Sequence, residues 1–268
     1  MSATFSTETI RQLAARLPVP QRLEVQTVLA VLSNMDLTGK ACLDIGFGSP
    51  VASRVLRMAG GYWTSVVRSE GDVAMASSFL DEEVVLPGAS GELPFEDKQF
   101  DLVVVGHGCL TGDAEADHAA LQECHRVLKV GALIILTAEF AKPWGLAYIL
   151  NGRRLVRQTG GSYSEHAIFS LMRNGYDVLG LRHFCRFWRQ LVRQWIDRRQ
   201  RQYGERDARL SLSGILYPLA ALLDWPLFWT RGYLVTVQGR RKGWRARESM
   251  RMGDGRNISE CVLHNYRG

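Results

Sequence analysis

The run Ala41-Cys-Leu-Asp-Ile-Gly-Phe-Gly-Ser-Pro50 leads a short apolar strand through an acid into a glycine-rich turn, and a helix-like stretch, Val51 to Ala59, follows. Glycine lets a backbone turn tightly, so a ligand can lie against bare amides at a helix start. Asp44, Gly46, Gly48 and Ser49 are therefore candidate binding residues. A second group is Gly106-His-Gly-Cys-Leu110, where flanking glycines leave the His107 ring accessible. An imidazole there can take a proton from an acceptor hydroxyl, or line a pocket without chemistry. His118, His166 and His183 share no ligand spacing, so no metal centre is expected, and His125 reads as a surface residue of a helix.

The elements that must position these residues alternate. Apolar positions recur at helical spacing over 7–35 (Ile10, Leu13, Leu17, then Val25, Val28, Leu29, Leu32), divided by Pro18 and Pro20. Strands are expected at 40–45, 62–67, 83–86, 100–105 and 132–137, and helices at 51–59, 72–79 and 113–129, the last capped by Gly131. This order predicts an α/β fold with a doubly wound, mostly parallel sheet covered by helices on both faces. Ligands of such sheets sit beyond the carboxyl ends of the strands. The turn at 46–50, the segment after Val67, the loop at 88–93 and residues 106–110 all fall on that edge.

Three motifs, Leu43-Asp-Ile-Gly-Phe-Gly48, Glu92-Leu-Pro-Phe-Glu-Asp-Lys-Gln-Phe-Asp-Leu-Val-Val-Val105 and Leu121-Gln-Glu-Cys-His-Arg-Val-Leu-Lys-Val-Gly-Ala-Leu-Ile-Ile-Leu136, resemble class I S-adenosylmethionine-dependent methyltransferases of the type 11 group. Gly161-Ser-Tyr-Ser-Glu165 and Leu171 to Val178 resemble that family's lead into its sixth strand, and Tyr233 to Gln238 its antiparallel seventh. The resemblance implies a seven-stranded Rossmann-like sheet and S-adenosyl-L-methionine as cofactor, with Asp44, Gly46, Gly48 and Ser49 at its methionine end. This chain departs from the family at three positions. Pro50 stands where a third glycine is usual. Val67 stands where an acid holds the ribose diol, with Glu70 three residues on. Ala89, beside Ser90, stands where an acid meets the adenine. On this resemblance Glu70, Ala89 and Ser90 border the nucleoside and His107 faces the acceptor. Two functions follow: a methyltransferase for a small or lipid-linked acceptor, or a non-catalytic protein of that fold serving as a membrane-docked or complex-bound scaffold.

Charge is unevenly spread along the 268 residues, whose formal net charge is +6. Residues 182–209 carry nine arginines against Asp197, Glu205 and Asp207, and 240–256 carry six arginines and Lys242 against Glu248 and Asp254. Local basicity points to an anionic partner or to a solvated helix face. Over 182–201, Phe184, Phe187, Trp188, Leu191 and Trp195 share one helical side, as in a basic amphipathic helix for an anionic membrane. The following stretch, Leu210 to Trp229, is apolar, but Pro218, Asp224 and Pro226 argue against a spanning helix. The expected organisation is an N-terminal helical segment over 1–39, a core over 40–181 and an insertion over 182–231 that forms a lid or a membrane or partner contact. The last core strand is expected at 232–242, and a disordered basic tail at 243–268. No RNA-binding module signature is present, so nucleic acid is not expected. Five scattered cysteines without a CxxC pair, and a start lacking a basic and apolar leader, suit a cytoplasmic protein, and the basic aromatic insertion suits a peripheral contact at the inner membrane.

Overall fold

A computed structural model describes residues 17, 19–46, 49–67, 70–80, 84–88, 91–107, 109–140, 162–193, 195, 212–227 and 230–243. The elements run α1 (Val19–Leu32), β1 (Ala41–Ile45), α2 (Pro50–Leu56), β2 (Tyr62–Val66), α3 (Glu70–Phe79), β3 (Val84–Val85), β4 (Phe100–Val105), α4 (Ala114–Val127), β5 (Leu128–Phe140), β6 (Ser162–Tyr163), α5 (Glu165–Arg173) and β7 (Tyr176–Phe184). A helix over 187–193 (α6), α7 (Leu212–Asp224), a 3-10 turn (Trp225–Leu227) and β8 (Leu234–Arg241) complete the order.

The strand order is β3-β2-β1-β4-β5-β8-β7, with β6 added beside the end of β5. Strands β1 to β5 pair in parallel, and β8 runs antiparallel between β5 and β7. Side chains alternate across the sheet, so each central strand feeds two cores. Leu43, Val103, Val105, Ile134 and Leu136 face Leu121 and Cys124 of α4 and Ile168 and Met172 of α5. Cys42, Leu102, Val104 and Ile135 face Val25, Val28 and Leu32 of α1 and Ala52, Val55 and Leu56 of α2. Residues on both faces are buried, which explains the apolar run Leu102 to Val105 of β4.

Two boundaries differ from expectation. Gly131 does not cap α4: the chain enters β5 at Leu128, and Gly131 lies inside the strand at φ +78°. Phe100 pairs with Leu128 and Leu102 with Leu133, so the extra residues form a bulge. The strand then runs past Thr137 to Phe140, which adds Glu139 to the carboxyl edge. Residues 182–184, expected to open a basic helix, instead close β7 and pair with Thr236, Val235 and Leu234. Cys185, at φ +53°, breaks the strand before α6. Backbone pairing with β8 outweighs the helical spacing of Arg182 and Phe184.

Candidate active site

At the carboxyl edge of β1 the chain turns at Gly46, with φ +71°. Its amide donates to the Val66 carbonyl at 3.2 Å, which ties the turn to β2. A side chain there would overlap the Cys109 thiol, which itself donates to the Ile45 carbonyl at 3.3 Å. Glycine is thus required both by the left-handed backbone and by the loop after β4 folding over β1. Ser49 is the N-cap residue of α2, but its hydroxyl makes no capping bond. Pro50 occupies the first helical turn, where a missing amide hydrogen costs nothing.

Asp44 lies beneath this turn and is committed to the fold. Its carboxylate accepts from Ser53 Oγ at 2.8 Å, Ser65 Oγ at 2.7 Å and Arg57 Nη1 at 3.1 Å. Arg57 Nη2 closes the cluster by donating to Ser65 Oγ at 3.0 Å. Burial pushes the Asp44 carboxyl above its ordinary range, opposed by Arg57 and the two serines. The acid therefore braces β1 against β2 and α2.

At the end of β2, the Val67 amide donates to the Val85 carbonyl at 3.1 Å. Glu70 is the exposed first residue of α3, where a carboxylate favours the positive end of the helix dipole. Gly48, Ala89 and Ser90 lie outside the described residues. The adjoining loop is closed by bonds from Gly88 N to Glu92 O and from Gly91 N to Gly88 O.

The most developed chemistry sits at the ends of β4 and β5. His107 Nε2 is 3.1 Å from Glu139 Oε1, and both side chains retain solvent access. The His107 amide donates to the buried carboxylate of Glu24 on α1. Arg193 of α6 lies 3.8 Å from Glu139, donates to the Tyr233 hydroxyl and stacks 5.3 Å from that ring's centre. The His107 bond, helped by Arg193, holds the Glu139 carboxyl below the usual glutamate range. Burial instead raises Glu24, against the His107 amide and the charges of His107 and Arg193. Asp117, also buried, accepts from Thr111 N at 2.7 Å, Thr111 Oγ1 at 3.0 Å, Gly112 N at 2.8 Å and the Tyr163 hydroxyl. It pins the loop that carries His107 and Cys109.

The structure thus brings His107 together with Glu139, Glu24 and Arg193, and places Gly46 and Ser49 at the neighbouring strand end. A carboxylate behind an imidazole fixes the ring and supports the cation formed when the ring takes a proton. Sequence reasoning named neither Glu139 nor Glu24, because the apolar run that marks β5 stops at Thr137 and an acid on a helix carries no mark of its burial.

Residues 43–136 match the family model "Methyltransferase domain". No curated protein matches the sequence. Similar solved structures include a candidate sarcosine dimethylglycine methyltransferase of Galdieria sulphuraria, at 15% identity over 84% of this chain and 86% of that one, TM-score 0.55. A geranyl diphosphate methyltransferase in complex with S-adenosylmethionine shares 15% identity over 90% and 92%, TM-score 0.53. The [4+2]-cyclase SpnF shares 21% over 83% and 80%, TM-score 0.56. At these identities the likeness is one of fold, and the cyclase illustrates that a fold does not name its reaction. Over residues 43–136 the chain is similar to methyltransferase domains, and it has the fold of the class I S-adenosylmethionine-dependent methyltransferases.

Proposed function

We propose that the chain is an S-adenosylmethionine-dependent methyltransferase whose acceptor is a small or lipid-linked hydroxyl compound. The observation that carries this reading is the His107–Glu139 pair at the carboxyl edge, 3.1 Å apart and open to solvent. When bound, the cofactor supplies a methyl group on a sulfonium, a leaving arrangement that needs mainly orientation. In this reading the turn at Gly46, the Ser49 hydroxyl and Glu70 would hold it, a partial fit because Val67 brings no carboxylate. His107 takes the acceptor proton on the ring nitrogen that Glu139 does not hold. Glu139 keeps the ring oriented and stabilises its charge. Glu24 fixes the backbone of His107, and Arg193 restrains Glu139 from the opposite side.

Calorimetric titration with S-adenosylhomocysteine tests the cofactor half, with stoichiometric binding expected. Transfer of labelled methyl to a panel of phenolic and aliphatic hydroxyl acceptors tests the rest. A second reading, a non-catalytic scaffold of the same fold, is favoured by Val67 and by an Asp44 carboxylate fully engaged within the fold. No heat and no thermal stabilisation at millimolar ligand would select that reading.

A further inference from the structure

Helix α7 is amphipathic in an inverted sense. Tyr217, Ala220 and Asp224 form its buried stripe. Leu219, Leu222 and Leu223 form its outer stripe, 52%, 67% and 41% exposed, continued by Trp225 at 78%. A helix that buries its one carboxylate and shows leucine to water has an outer face made for contact. Asp224 accepts the amide hydrogens of Trp188 at 2.9 Å and Arg189 at 3.4 Å, and so caps the start of α6. The same bonds tie the backbone of Trp188 to the end of α7 that Trp225 follows, and both indoles are exposed.

The charges at that corner decide what the face meets. Arg186 donates to the Thr230 carbonyl at 3.2 Å, and Arg189 lies 3.9 Å from Asp224, so two guanidinium groups flank the corner. Residues 187–193 and 212–227 contain no acid besides Asp224, which is buried. The face therefore offers indoles, leucines and arginines, and no carboxylate of its own helices. Indole rings favour the headgroup level, leucines the acyl boundary, and guanidinium groups lipid phosphate. No helix among the described residues is long and apolar enough to cross a membrane, which leaves α7 to lie in the interface plane.

We propose that the α6–α7 corner docks on the surface of an anionic lipid bilayer, with Leu219, Leu222 and Leu223 in the acyl boundary and Trp188 and Trp225 at headgroup depth. The other end of α6 carries Arg193 to Glu139 and Tyr233, so the docked surface and the candidate site share one helix. A lipid-linked acceptor would then reach His107 from the membrane side.

The test is flotation of the full chain with phosphatidylcholine vesicles, with and without phosphatidylglycerol, in the absence of cofactor. The chain should float with the anionic vesicles, less with the neutral ones, and be released by high salt. The double variant Leu222→Asp/Trp225→Asp should lower partitioning at least about tenfold. Its uncharged counterpart Leu222→Gln/Trp225→Gln should lower it too, with melting curves of both matching the parent. No flotation with anionic vesicles, equal flotation with neutral ones, or variants that float like the parent would each overturn docking. So would a complex with another protein through this face in a chain that ignores vesicles. Flotation is read without cofactor, so its failure and a failure to bind S-adenosylhomocysteine remain separate results.

Discussion

His107 and Glu139 are separable by substitution because they play different parts. His107→Ala removes the proton acceptor, and turnover on a hydroxyl acceptor should fall by about 10²–10⁴, with S-adenosylhomocysteine binding retained. Glu139→Gln keeps the ring in place but withdraws the charge behind it. The acidic limb of the pH–rate profile should shift while KM for the cofactor holds; an unchanged profile would make Glu139 a bystander. Glu24 gives a prediction in stability. Burial raises its carboxyl, so the folded state holds the proton more tightly than the unfolded chain. The resulting cost is absent below the ordinary glutamate range and fully present above the raised value. Glu24→Gln still accepts the His107 amide, so its melting temperature should exceed the parent's at about pH 8 and match it at about pH 4. A gain independent of pH would show that the charge is not its source. His107 was legible in the sequence because glycines flank it at a strand end. Glu139 was not, because the apolar run stops at Thr137 and gives no sign that pairing with Ser162 and Leu234 extends the strand. Glu24 looks like any surface acid until His107 is found above it.

The loop after β4 is the element on which the site depends, and its seat on Gly46 can be measured. Gly46→Ala puts a methyl group into the Cys109 thiol and a side chain into a left-handed backbone. The expected cost is about 1–3 kcal/mol in urea unfolding. Cys109→Ala should return the part due to the collision and leave the part due to backbone strain. The double variant would therefore be more stable than the sum of the two losses allows. Simple additivity would mean that the loop does not rest on the turn. The parallel strands were readable from their apolar runs and glycine stops, since burial on both faces leaves a plain signature. Residues 128–131 and 182–184 were not. Leu128 continues the apolar spacing of α4, and Arg182 and Phe184 continue that of α6, so local periodicity points across each boundary. Pairing with β4 and with β8 decides both, and such pairing is not a local property of the chain.

At the scale of the molecule, helix α1 packs into the core. Read from sequence, 1–39 is a helical extension attached to a Rossmann-like unit. In the structure Val25, Val28 and Leu32 of α1 pack with Cys42, Leu102, Val104 and Ile135 of the sheet, and Glu24 reaches the backbone of His107. Helix α1 thus covers, together with α2, one face of the central strands. Leu32 is 1% exposed, and Leu32→Ala should cost about 2–5 kcal/mol, the range for a leucine removed from a packed interior. A separate extension would instead lose α1 alone and leave the sheet intact. The two arrangements differ in cooperativity as well as in size. If α1 belongs to the core, far-ultraviolet circular dichroism and tryptophan fluorescence should trace one coincident urea transition in parent and variant alike, because Trp63 sits in the same cluster as Leu32. An early helical transition that leaves the fluorescence unchanged would detach α1 from the fold, and with it the role of Glu24 beneath the candidate base.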